Sequence, residues 1–186
     1  MDDYPEGKAD FDLNDGEYID ECNIDSSVDD IIDCSIESSI DMPKPPVINA
    51  AAAIVMDRDT GRILYEKNAH KKLPIASTTK IMTGIIAIEK GNLDDTVTVS
   101  KRARQIWGSV IGLYQGEKIK LRELLYGLML NSGNDAAIAI AEHIGGTVEN
   151  FLEMMNEKAR LIGARNTNFK SPHGLDMDGH YSTAYD

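Results

Sequence analysis

Ser77 and Lys80 stand three residues apart in the run Pro74-Ile75-Ala76-Ser77-Thr78-Thr79-Lys80, and Ser132-Gly133-Asn134 follows an apolar segment further along. If Ser77 opens a helix, backbone amides face its hydroxyl and the helix dipole favours negative charge developing there. Lys80 then lies on the same face, one turn on. An ammonium cannot accept a proton, so a basic role requires Lys80 to be desolvated; the neighbouring Ile81, Met82 and Ile85 are expected to supply that burial. A lysine so placed takes the Ser77 proton and leaves a nucleophile. Ser132 adds a second hydroxyl able to relay a proton, and Asn134 a carboxamide able to hold a substrate amide. Taken singly, the first run also reads as a serine N-cap followed by a solvated lysine, and the second as a turn between helices.

The elements that must position these four side chains are legible from periodicity. Ala50–Met56 and Gly61–Tyr65 flank the turn Asp57-Arg58-Asp59-Thr60 and read as a hairpin. The small residues Ala50–Ala53 suit close packing of that hairpin on a helix. Thr78–Glu89 carries apolar residues at helical spacing and stops at Gly91, a candidate C-cap. Val97-Thr98-Val99 is a short strand. Leu121–Leu130 is an amphipathic helix with Met129 on its inner face, and Asp135–Ile144, rich in Ala and Ile nearly all round, is a buried one. Thr147 caps a further helix through Ile162, with Met154 and Met155 in the core. Ser182–Asp186 reads as the first turn of one more helix.

The net charge of −12 is unevenly spread. Residues 1–42 hold fifteen Asp or Glu against one Lys, whereas residues 43–186 hold sixteen acids against eighteen bases. The expected organisation is therefore an acidic disordered tail with a Pro-rich linker over 1–46, then a catalytic domain over 47–186. Cys22 and Cys34 lie in the tail, at a spacing that fits no zinc motif, and are read as incidental. No basic stripe exists to release counterions, so nucleic acid is not an expected partner. No basic, apolar leader opens the chain, and no apolar run is long enough to span a bilayer.

Together the two motifs resemble those of the penicillin-recognising serine enzymes, Ser-x-x-Lys and Ser-x-Asn. The flanking text narrows the resemblance to serine-type D-alanyl-D-alanine carboxypeptidases: Ile54–Asp57, Gly61–Asn68, Leu73–Ser77, Asn131–Ala137, Ser171–Asp176 and His180–Ala184. It runs from about Val47 to Asp186. The resemblance implies an α+β, β-lactamase/transpeptidase-like fold, a helical block beside an antiparallel sheet. It implies that Ser77 attacks the penultimate D-alanine carbonyl of a peptidoglycan stem peptide, Lys80 is the general base, Ser132 relays a proton to the departing D-alanine, and Asn134 binds the substrate. β-Lactams would acylate the same serine. No metal or cofactor is implied, and the substrate places the protein outside the cytoplasmic membrane. The family's third motif, Lys-Thr-Gly on a late strand, does not occur in these residues. The chain by itself is therefore expected to be truncated before its C-terminal strands and inactive.

Other readings share parts of this pattern. A class A β-lactamase needs a Glu with Asn four residues on, and no Glu here is so followed. A peptidoglycan endopeptidase would use the same motifs on cross-links, and a non-catalytic fragment would use none of them. His173 and His180 are expected in a structural loop rather than at a metal, since their spacing suits no zinc site. Trp107, between Ile106 and Gly108, is expected to be a packing residue rather than a substrate platform.

Overall fold

A computed structural model describes residues 44–186; the acidic stretch, with Cys22 and Cys34, lies outside the described residues. Among the described residues, five helices and four short strands follow in the order β1 (Ala53–Met56), β2 (Ile63–Lys67), α1 (Thr79–Lys90), β3 (Thr96–Thr98), α2 (Lys101–Gln105), β4 (Lys118–Lys120), α3 (Leu121–Leu130), α4 (Asn134–Gly145) and α5 (Val148–Leu161). A single 3-10 turn, Ala76–Thr78, leads into α1.

The helical block is organised around α4, which packs against α1, α2, α3 and α5. Its run Ala136–Ala141 is buried on every side, as a helix of small and branched apolar residues must be to hold its place. Alanine lets the neighbouring helices approach, and the larger Leu121, Leu124, Leu128, Phe151 and Met155 fill the space between them. Helix α5 begins where Thr147 accepts a hydrogen bond from the Asn150 amide at 3.1 Å, the expected N-cap. Helix α1 stops at Gly91, but not through a left-handed residue: its φ is −96°. Glycine is required there because a Cβ would lie 2.6 Å from Leu121 Cδ2 and 2.8 Å from the Ala87 carbonyl.

The strands form two separate antiparallel pairs, β1 with β2 and β3 with β4. Val97 faces Ile119 in the second, and the short strand β4 and helix α2 carried too little periodic signal to be expected from sequence. In the first pair the register shifts between Val55 and Met56 beyond the Asp57–Thr60 turn. The alanines before β1 do not pack on a helix: Ala50 and Ala51 are exposed and the strand begins only at Ala53. Nor does Ser182–Asp186 start a helix. Ser182 instead exchanges backbone hydrogen bonds with Leu73, and the Tyr185 amide donates to the Ala69 carbonyl. Met129 points away from the core and is 54% exposed, because α3 turns that face toward an apolar groove shared with α1. No helix among the described residues is long and apolar enough to cross a membrane.

Candidate active site

Ser77 sits in the 3-10 turn rather than in α1 itself, with Lys80 in the first turn of the helix. Two backbone positions around it carry strain. Ala76 has φ +44° and Ser132 φ +54°, a left-handed conformation that costs a residue with a Cβ about 1–2 kcal/mol. These bends present both hydroxyls to the same space, and Ser132 Oγ donates to Ser77 Oγ at 3.0 Å.

Lys80 is almost fully buried, 2% exposed, but not by the side chains the sequence suggested. Ile81 points to solvent at 55% exposure. The burial comes from Asn134 and from the segment Ser171–Gly174, which crosses the start of α1. Lys80 Nζ donates to the His173 carbonyl at 2.7 Å, to Asn134 Oδ1 at 2.8 Å and to Ser77 Oγ at 3.2 Å. None of the three acceptors is a carboxylate, so desolvation is uncompensated and lowers the Lys80 pKa. Loss of one proton leaves two hydrogens on the shorter contacts, to oxygens that can only accept, and turns the lone pair to Ser77.

Three polar side chains at the start of α1 seat the crossing segment and the His180 ring beyond it. Thr79 Oγ1 meets His180 Nε2 at 2.8 Å, Lys80 binds the His173 carbonyl, and Thr83 Oγ1 donates to the Pro172 carbonyl at 2.7 Å. The Lys170 amide donates to His180 Nδ1 at 2.9 Å, so the neutral ring carries its hydrogen on Nε2 and gives it to Thr79. Burial lowers the pKa of His180, opposed by the charge of Asp176. His173, whose Nδ1 accepts from the Leu175 amide at 3.1 Å, is pushed down to about 4 by burial first and then by the Lys80 charge. Both histidines are thus buried neutral parts of a structural loop. Gly174, at φ +87°, closes it: a Cβ there would stand 1.8 Å from the Ala76 carbonyl oxygen.

The second wall is the loop between α2 and β4. The Asp135 carboxylate accepts from the amides of Ile111, Gly112 and Leu113 at 2.9–3.1 Å and fixes that loop to the start of α4. Asn134 binds it as well, through Nδ2 to the Trp107 carbonyl at 2.8 Å. Asn134 therefore already spends one Nδ2 hydrogen and one Oδ1 lone pair on the protein; the second hydrogen remains for a ligand. Trp107 does not pack inward. It is 71% exposed and, with Ser77 and Asn134, lines a cavity of about 380 Å³. A second cleft of about 320 Å³ opens on the other side of Ser77, lined by Lys80, Ile81, Leu128, Met129 and Ser132.

All four residues singled out from the sequence meet in one cluster. Thr79, Thr83, Asp135 and Gly174 were missed, though each left a trace: two threonines at i, i+4 interrupting an apolar helix, and a lone carboxylate opening a run of Ala and Ile. Among the described residues no group of three or more His, Cys, Asp or Glu could hold a metal ion. The arrangement brings two hydroxyls and a buried amine within hydrogen-bonding reach of one another.

Comparison with known proteins agrees. The family model for D-alanyl-D-alanine carboxypeptidase, peptidase S11, matches residues 40–186, and the chain belongs to this family. It is 46% identical over 142 residues to the D-alanyl-D-alanine carboxypeptidase DacF of Bacillus subtilis, covering 74% of this chain and 36% of that protein. Penicillin binding protein 6B of Escherichia coli superposes with a TM-score of 0.71 at 39% identity, over 77% of this chain and 49% of the other. Penicillin binding protein 5 of Haemophilus influenzae gives 0.71 at 38% identity, over 76% and 43%. The fold is the transpeptidase-like fold of these enzymes. The chain spans between about a third and a half of the length of these relatives.

Proposed function

We propose that Ser77 is the nucleophile of a serine-type D-Ala-D-Ala carboxypeptidase acting on peptidoglycan stem peptides, and that β-lactams acylate it. The observation that carries this reading is the convergence of Lys80 Nζ and Ser132 Oγ on Ser77 Oγ, at 3.2 and 3.0 Å. Neutral Lys80 takes the Ser77 proton as Oγ bonds to the carbonyl carbon of the penultimate residue. The C–N bond then breaks, and the departing D-alanine amine receives a proton through Ser132. The remaining ester is hydrolysed when Lys80 deprotonates water, which restores Ser77 and releases the shortened peptide. The spare Nδ2 hydrogen of Asn134 holds an amide of the retained portion. Stem peptides lie outside the cytoplasmic membrane, so the reading carries an extracytoplasmic location.

Incubation with a labelled penicillin, followed by mass spectrometry of the adduct, tests the assignment. In a form of the protein that also carries a Lys-Thr-Gly strand, a covalent label on Ser77 that vanishes in Ser77→Ala, and forms about 10²- to 10⁴-fold more slowly in Lys80→Ala, is expected. A label on another residue, or none, overturns it. Free D-alanine from digested muropeptides supports the carboxypeptidase; cleaved cross-links would indicate an endopeptidase.

A further inference from the structure

Thr79, Lys80 and Thr83 each hold a different part of the stretch between Lys170 and His180. The His180 residue is 4% exposed, and both ring nitrogens are engaged. Nδ1 accepts from the Lys170 amide at 2.9 Å and Nε2 gives its hydrogen to Thr79 Oγ1 at 2.8 Å. One neutral imidazole thus ties the residue before Ser171 to the residue before Lys80. The ring has little freedom to swing from either partner. The His180 amide is held by the Met177 carbonyl at 3.0 Å, and Tyr181 next to it exchanges backbone bonds with Asn168. Phe169 closes on the ring edge-on, with centroids 6.0 Å apart, and is itself held by Asn156 of α5 through its amide at 2.8 Å.

A proton on Nδ1 would set one N–H against another at 2.9 Å, in a buried place where neither finds a new partner. Either the amide or the ring must then withdraw. Both routes loosen the segment Ser171–Gly174, whose His173 carbonyl is one of the three acceptors around Lys80 Nζ. Burial opposes the charged form of His180 and the Asp176 charge favours it. His173, the other imidazole of the loop, is held neutral at pH 7 by burial and by the Lys80 charge on the adjoining turn of α1.

We propose that His180 is a positioning residue for the Lys80 amine: as a neutral clamp between Thr79 and Lys170 it seats the segment that covers Lys80, and its protonation unseats that segment. This rests on the acyl-transfer reading above only for the use made of Lys80. Glutamine can reproduce both bonds without titrating, accepting from the Lys170 amide through Oε1 and donating to Thr79 through Nε2, whereas alanine can make neither. Nuclear magnetic resonance of the 186-residue chain, with ¹⁵N-labelled histidine and ¹³C-labelled lysine, reads the consequences. At pH 7 the His180 nitrogens should report a hydrogen on Nε2 alone. The Lys80 Cε resonance, assigned by its loss in Lys80→Arg, should titrate below the exposed lysines in wild type and in His180→Gln, and among them in His180→Ala. A His173→Gln background removes the other titrating ring of the loop. There the protection of the Lys170 amide against exchange should fall about tenfold for each pH unit below 6.5, the ordinary histidine value, and stay level once His180→Gln is added. A hydrogen on Nδ1, a Lys80 titration unmoved in His180→Ala, or a fall in protection that survives His180→Gln overturns the proposal. If His180→Ala does not fold, the comparison with glutamine decides alone. None of these readings uses penicillin: failure of Ser77 to label would sink the catalytic reading and leave the clamp standing, whereas labelling without the clamp's signatures would remove the clamp alone.

Discussion

The helical block and the β1–β2 hairpin both carry runs of apolar residues, yet they use them differently. In the block, apolar residues at helical spacing meet one another: Leu121, Leu124, Phe151 and Ile140 are wholly buried around α4. In the hairpin, Val55, Met56, Ile63 and Leu64 remain exposed, and no residue of either strand is fully buried. The hairpin is held mainly by its own ladder and by bonds to the segment before it, Lys67 Nζ to the Ile48 carbonyl at 2.8 Å and Asn68 Nδ2 to the Ala51 carbonyl at 2.9 Å. Two strands alone are marginally stable. The Ser77 cluster is mounted entirely on the first kind of structure: Ser77 and Lys80 at the start of α1, Ser132 and Asn134 at the start of α4. A site that needs oxygen atoms held within hydrogen-bonding distance is placed where packing is dense.

The comparison fails if the block is not where stability resides. Phe151, wholly buried, sits at the start of α5 where it meets the end of α4; a Cβ on Gly145 would be 2.9 Å from the Phe151 Cβ. Phe151→Ala is expected to cost about 3–5 kcal/mol, since the cavity is walled by helices that cannot collapse into it. Chemical denaturation measures this, and a loss under about 1 kcal/mol would show a loosely packed block.

A smaller effect should appear on acidification, and on the same side of the comparison. The pKa of His173 falls from 6.5 to about 4 on folding. Between those values the unfolded chain binds a proton that the folded chain refuses, so stability is fully present above pH 6.5 and is lost as pH falls toward about 4. The expected loss is roughly 2–3 kcal/mol. Denaturation midpoints across that range, compared with His173→Gln, isolate it from the carboxylates. A wild-type curve parallel to that of the variant would refute the assignment.

The same contrast explains what could be read from the sequence. Helices α1, α3, α4 and α5 were legible to within a residue or two because their pattern and their burial coincide. The four site residues were legible because each stands at a helix start, where a short motif fixes geometry locally. What failed depended on the partner, not on the pattern. Ile81 has the right spacing to cover Lys80, but Lys80 is covered from a segment more than ninety residues on, through the His173 carbonyl. Trp107 looked like packing because its neighbours are Ile and Gly; only the bonds from Asn134 and Asp135 to its loop hold it outward. Ser182–Asp186 has a helical start signal but was captured by backbone pairing with Leu73 and Ala69. The strain at Ala76 and Ser132 had no sequence signal at all, since neither position carries the glycine that a left-handed turn favours.

The smallest effect belongs to the hairpin, and it tests the contrast most sharply. Leu64 is 55% exposed near the start of β2, at the register shift, where it has no paired residue on β1. Its side chain has little apolar contact to lose, so Leu64→Ser should change stability by no more than about 0.5 kcal/mol. Amide exchange should agree: the β1 and β2 amides are expected to open locally, with free energies well below those of α4, whose amides should exchange only on global unfolding. A cost above about 1.5 kcal/mol for Leu64→Ser would mean that this face is packed, a cost that belongs to buried residues. Hairpin amides as slow as those of Ala136–Ala141 would mean that the two regions fold as one unit. Either result would remove the distinction between a structure that positions chemistry and one that does not.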